Sequence, residues 1–226
     1  MTEAEVSAVL LSLKVSAVAV TWTLPVAFGL AWLLARGRFA GRFALNILVH
    51  LPLVLPPVVI GYLLLLTFGQ AAPLGRALHE VLGVGFVFSW TGAALAAGIV
   101  TLPFQVRAIR LALEVIDPQL ESVARTLGAT PLDVLRTVTL PLAAPGIVAG
   151  LITAFAASLG EFGAIITFVS NVPGETQTLP LAIYSALQSP GGEAMAARLS
   201  LLAIVLAVIG LALSEWTAQR LKRWSA

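Results

Sequence analysis

Few side chains in this chain could make or break a bond. There is no cysteine, which excludes thiol nucleophiles, disulfides and Cys-ligated metals. His50 and His79 lie far apart without ligand-like neighbours, so no metal site is expected. No Ser–His pair, HExxH run or pair of aspartates inside an apolar run is present, so no catalytic residue is assigned. What stands out instead is one acid deep in an apolar run: Glu161, flanked by Gly160 and Gly163. An ionisable residue at membrane depth is a functional candidate by default. It could be a structural group paired with a donor, or part of an outer gate where the glycines permit a bend. Lys14 is a candidate donor, but could equally snorkel to the membrane surface.

A second unusual stretch is HLPLVLPPVVIG, from His50 to Gly61, with Pro52, Pro56 and Pro57. Proline removes a backbone donor and clashes with the preceding turn, so a helix is broken or kinked there. Either a proline-initiated helix enters the bilayer at an angle, or Pro56 and Pro57 belong to a flexible helix lining a pathway. Backbone groups freed at membrane depth must face protein or a water-filled cavity.

The elements that position these residues are set by composition. Hydrophobic residues make up 59% of the 226 positions and charged ones 11%, about half the charge of a soluble domain. Mean hydropathy is +0.99. The pI near 9.5 does not indicate nucleic acid, because the basic residues sit between apolar runs rather than on one face. A bilayer core of about 30 Å needs roughly 20 apolar residues per helix. Five runs qualify, at about 9–34, 44–68, 89–110, 143–168 and 198–218. The segment from Met1 to Val6 carries Glu3 and Glu5 rather than a signal peptide's positive charge, so the first run is expected to stay in the mature chain.

Lys and Arg alternate between connections. Arg36, Arg38 and Arg42 lie in the first, Arg107, Arg110, Arg125 and Arg136 in or near the third, and Arg220, Lys222 and Arg223 in the tail. The second holds only Arg76, and the fourth only Arg198 beside Glu175 and Glu193. The positive-inside rule then places the N-terminus outside and the C-terminus in the cytosol. Arg198 and Glu215 read as markers of span ends. In the fourth run Gly146, Gly150, Ala154 and Ser158 form a stripe of small residues. It suits close helix packing, either within one subunit or across a dimer.

The third connection, 117–141, is richer than a linker needs to be. Asp117 suits an N-cap and Pro118 a first helical position. Leu120, Val123, Ala124 and Leu127 then give one apolar face. Gly128 suits a left-handed helix end. Thr130, Pro131 and Asp133 start a second short helix that reaches about Thr137, and Leu140-Pro141 is expected to break it before the next span. The pair could lie on lipid headgroups or dock a cytosolic partner.

This loop resembles the cytosolic signature of ABC-importer permeases: E-A-A, three residues, G, nine residues, I, one residue, L-P. Ser122-Val123-Ala124, Gly128, Val138 and Leu140-Pro141 fall at that spacing. The motif glutamate is replaced by Ser122, with Glu121 one residue earlier and so rotated by about 100°. HLPLVLPPVVIGYLLL, VRAIRLALE, SLGEFGAIITFVSNVPGETQTLP and SPGGEAMAARLS resemble the molybdate-importing branch, of which the tungstate and sulfate/thiosulfate permeases are relatives.

The resemblance implies an all-α, polytopic type I importer permease, forming a single transmembrane domain in the bacterial inner membrane. Its partners would be a second copy of itself, a cytosolic ATPase subunit, an extracytoplasmic molybdate-binding protein and the lipid bilayer. ATP and Mg would be bound by the ATPase and no cofactor by this chain, which has no GxxxxGK[ST] loop. Glu121, Ser122, Ala124, Arg125, Gly128, Ala129, Pro131, Leu140 and Pro141 would form the ATPase-coupling loop. Pro56, Pro57, Gly160, Glu161 and Gly163 are the pathway or gate candidates. A bare carboxylate would repel a dianionic oxyanion, so Glu161 is not expected to bind substrate. The outer connection, 169–197, with Pro173-Gly174 and a short helix at 180–188, is either a gate and docking site for the binding protein or an ordinary loop. An ATP-independent secondary transporter is the rival class, but would show an internal repeat and paired intramembrane charges.

Overall fold

A computed structural model describes residues 2–83 and 85–224. The side chains of Glu215, Arg220, Lys222 and Arg223 lie outside the described part. Among the described residues all regular structure is helical.

Helix α1 (Glu3–Arg36) has 34 residues and is therefore about 51 Å long. Thr2 and Glu5 close a capping box at its start. Its buried stripe includes Ala8, Leu11, Val15, Ala19, Thr23, Ala27, Ala31 and Leu34, a helical repeat of mostly small side chains. In lipid there is little hydrophobic drive between helices, so such close backbone approach carries the packing. From Leu11 on, the stripe lies along α5 (Trp90–Val115), whose facing positions include Ala93, Ala97, Thr101, Gln105, Ile109 and Leu113. Gln105 is buried and donates to Val20 O at 3.2 Å and Thr23 Oγ1 at 3.0 Å.

The second apolar run is two helices. α2 (Arg42–His50) and a 3-10 turn (Leu51–Leu53) are separated from α3 (Pro57–Phe68) by a bend of 110°. Pro57 occupies the first position of α3, where its missing N–H costs nothing. This is a proline-initiated helix after a sharp break. At 12 residues α3 is only about 18 Å long. Among the described residues, four continuous helices are therefore long and apolar enough to cross a membrane, and the bent pair makes a fifth span only if counted together.

The remaining elements are α4 (Pro73–Leu82), α6 (Pro118–Thr126), α7 (Pro131–Val134), α8 (Leu140–Leu159), α9 (Gly163–Val169), α10 (Leu179–Leu187) and α11 (Glu193–Trp224). α8 packs on α5 through the small-residue stripe. A Cβ at Gly146 would collide with Ala112 Cβ, and one at Gly150 would come within 3.1 Å of Ala108 Cβ. The stripe is a seam within the subunit.

Two expectations are corrected. Leu140-Pro141 does not end the second loop helix. α7 passes through a π turn (Leu135–Thr139) into α8, giving one helix from Pro131 to Leu159. A proline ring clashes with the carbonyl one regular turn earlier, and the widened turn immediately before Pro141 shifts those carbonyls. The fourth run, expected as one span over 143–168, breaks after Leu159 and resumes at Gly163, at the glycines that permit a bend.

Candidate functional site: a coupling loop and a paired helix break

The connection between α5 and α8 folds as its caps dictate. Asp117 Oδ1 accepts from Gln119 N at 2.9 Å at the start of α6. Gly128 takes φ +90°, with nothing near where a Cβ would stand. Thr130 and Asp133 close a capping box: Asp133 N donates to Thr130 Oγ1 at 3.3 Å and Thr130 N to Asp133 Oδ2 at 3.0 Å. Much of the apolar face of α6 is left open by the chain itself. Leu120, Val123, Leu127 and Leu132 are exposed, Leu127 at 84%. Ser122, Arg125, Pro131 and Pro141 are exposed with them, whereas Ala124, Ala129 and Leu140 are half-buried.

Glu121 points the other way. Its side chain is only 13% exposed. One carboxylate oxygen, Oε1, accepts from Arg36 Nη2 at 3.1 Å and from Thr139 Oγ1 at 3.2 Å. Arg36 Nη2 also donates to Ile116 O at 3.3 Å. Ser122, at the motif's glutamate position, only bonds back to Pro118 O of its own helix. A groove of about 530 Å³ runs beside this network, between Phe28 and Trp32 of α1 and Arg125, Leu132 and Leu135 of the loop.

The proline and glycine candidates meet at the other break. A Cβ on Gly163 would stand 2.9 Å from Pro57 Cβ. At Gly61 one would stand 2.6 Å from Ala164 O, so α3 and α9 are in backbone contact. The two interrupted helices thus begin side by side. Glu161 lies in the break rather than within a helix, buried, and its Oε1 accepts from Ala164 N at 2.8 Å. It caps the start of α9, where the helix dipole favours a negative group. Lys14 is not its partner: its ammonium sits 3.6 Å above the Trp90 ring, a cation–π contact. Pro56 and Gly160 are exposed at the two breaks.

Beyond α9, residues 170–178 form a loop held by its own hydrogen bonds. Thr176 Oγ1 accepts from Val172 N at 2.8 Å and donates to Ser170 O at 2.9 Å, and Asn171 Nδ2 donates to Ser185 Oγ of α10 at 2.6 Å. The short helix expected at 180–188 is α10, one residue earlier. Nearby, Arg198 at the start of α11 pairs with the buried Glu5 at 2.7 Å. In the sequence, Arg198 reads only as a span marker and Arg36 only as a topology signal. Partners 193 and 85 positions away leave no local trace.

These features define a class. A methionine ABC transporter solved in inward-facing conformations, MetNI, has a chain that superimposes with a TM-score of 0.72, covering 98% of this chain and 99% of that one at 16% identity. A chain of a bacterial alginate ABC transporter, solved with an alginate-bound periplasmic protein, gives 0.75 over 97% and 80% at 20% identity. The fold is that of a type I ABC-importer permease. The chain belongs to the family of binding-protein-dependent transport system inner membrane components, which it matches over residues 24–223. It is a multi-pass protein of the cytoplasmic membrane. It is 56% identical to the molybdenum transport system permease protein ModB of Escherichia coli K12, over 97% of this chain and 96% of that one. The ModB of Haemophilus influenzae is 54% identical over the same shares.

Proposed function

We propose that this chain is the permease through which molybdate crosses the cytoplasmic membrane, powered by ATP hydrolysis in a separate subunit. The observation that carries this reading is identity of more than half with molybdenum permeases along almost the whole chain. The chain supplies no catalytic group and binds no cofactor; ATP and Mg belong to the ATPase. That subunit docks on the exposed apolar face of α6 and α7, around Leu120, Val123, Leu127 and Leu132. This face lies at the end of the bundle that carries Arg36, Arg38 and Arg42, which the positive-inside rule puts in the cytosol. The N-terminus is then outside and the C-terminus inside.

At the outer end, residues 169–197 receive an extracytoplasmic molybdate-binding protein. A second copy of the chain completes the pathway. The breaks at Pro56–Pro57 and Gly160–Gly163 form the gate. Because Pro57 and Gly163 touch, a tilt of α3 must displace α9 with it. Glu161 holds the start of α9 and does not meet the anion.

Purifying the tagged chain together with its ATPase tests this reading. ATP hydrolysis should rise when molybdate-loaded binding protein is added, and not with the unloaded protein. Copurification of no ATPase would overturn it in favour of an ATP-independent transporter.

A further inference from the structure

The Glu121 side chain, only 13% exposed, turns toward the bundle, whereas Leu120, Ser122 and Val123 beside it on α6 are exposed. Its Oε1 gathers donors from two elements remote in sequence: Arg36 at the end of α1 and Thr139 in the π turn at the root of α8. Arg36 Nη2 also holds Ile116 O, where α5 hands over to α6. One carboxylate therefore joins α6 to α1 and α8. Ser122 occupies the motif's glutamate position, is exposed and contacts only its own helix. The rotation of about 100° between neighbouring helical residues separates an outward position from an inward one.

From this geometry we infer that Glu121 is a positioning residue: it does not contact the ATPase, but pins α6 to Arg36 and Thr139 so that movement of α6 is passed to α1 and α8. The apolar face around Leu127 receives the push, and the Glu121 carboxylate delivers it. Two details fit a pin that changes geometry. Arg36 Nε is buried without a hydrogen-bond partner in this conformation, so the guanidinium grips the carboxylate by one nitrogen and retains a second for a two-pronged grip. Thr139 sits in a π turn, a rare form found mostly as single turns at functional sites, and its hydroxyl lies within 3.5 Å of Val134 O as well as bonding Glu121. The inference rests on the importer reading above.

The test uses the full transporter in proteoliposomes. In Glu121→Gln the ATPase should still copurify and hydrolyse ATP, while molybdate moved per ATP falls by about 5-fold or more, the lower range of measured allosteric couplings. Arg36→Gln should do the same, and the double variant should add little, as for two groups acting through one contact. Loss of ATPase copurification in Glu121→Gln but not in Arg36→Gln would overturn the inference and make Glu121 an ATPase contact. Unchanged transport per ATP in Glu121→Gln would overturn it too.

A second readout needs no substrate. The chain has no cysteine, so spin labels on Leu33→Cys and Ser122→Cys, both at exposed positions, report the α1–α6 distance without background. With Glu121 present the distance distribution should stay narrow with and without ATP; with Glu121→Gln it should broaden. Equal widths would refute the pin. Absence of ATP-driven molybdate uptake by the unaltered transporter would instead refute the importer reading.

Discussion

Replacing Gly146 by alanine adds a single methyl group to the seam between α8 and α5. That methyl would overlap Ala112 Cβ and stand 3.0 Å from Ala108 O. Both are rigid parts of α5, so neither can swing aside and the helices must separate. Overpacking of this kind costs about 1–3 kcal/mol, and the stiffness of both neighbours puts Gly146→Ala in the upper half, at about 2–3 kcal/mol. At roughly 2–4 °C per kcal/mol for a chain of this size, Tm should fall by roughly 4–12 °C. Gly150→Ala meets its nearest neighbours at 3.1 and 3.2 Å, a contact that a few tenths of an ångström relieve, and should cost about 1 kcal/mol or less. Gly210→Ala, with nothing within 4 Å, should leave Tm unchanged or raise it through better helix propensity. Thermal unfolding of the three variants in detergent, followed by tryptophan fluorescence, measures the order. A Tm for Gly146→Ala equal to that of Gly210→Ala would refute the seam. So would a variant whose dimer dissociates while its monomer melts normally, since the stripe would then lie between subunits.

Other consequences follow from the same contacts. Leu127→Asp should abolish ATPase copurification with little change in Tm, because a residue that is 84% exposed has little packing within the chain to lose; retained copurification would remove the apolar face from the docking surface. Glu161→Gln should lower molybdate uptake more than it lowers assembly, as measured by transport beside gel filtration; normal uptake would reduce Glu161 to a helix cap. Thr130→Ala removes the capping box of α7 and should cost about 1 kcal/mol locally, visible as faster amide exchange at Leu132, Asp133 and Val134 and not elsewhere.

The legible parts of this molecule were those written in local chemistry. Caps at Asp117 and Thr130, the left-handed turn at Gly128 and the interruption at Pro56–Pro57 depend on neighbours within one turn, and each stands where its residue type demands. The long apolar helices were equally readable, although their ends moved by several residues. What could not be read was which faces meet. The stripe at Gly146 and Gly150 fits any close partner, and only the position of α5 makes it internal. Leu140-Pro141 reads as a stop, because the π turn that accommodates Pro141 has no sequence signature of its own. Arg36 serves topology and the Glu121 network at once, and the first role conceals the second. Lys14 illustrates the reverse: an apolar run offered it an acid, and folding placed an indole closer.

Inward passage of molybdate through this chain should occur only when a partner hydrolyses ATP. Its most direct test is uptake of radiolabelled molybdate into liposomes holding the chain and its ATPase, with the binding protein outside and ATP sealed inside. Accumulation should require ATP, cease with a non-hydrolysable analogue, and resist excess sulfate. Accumulation that proceeds without ATP, or follows an ion gradient instead, would overturn an ATP-driven importer.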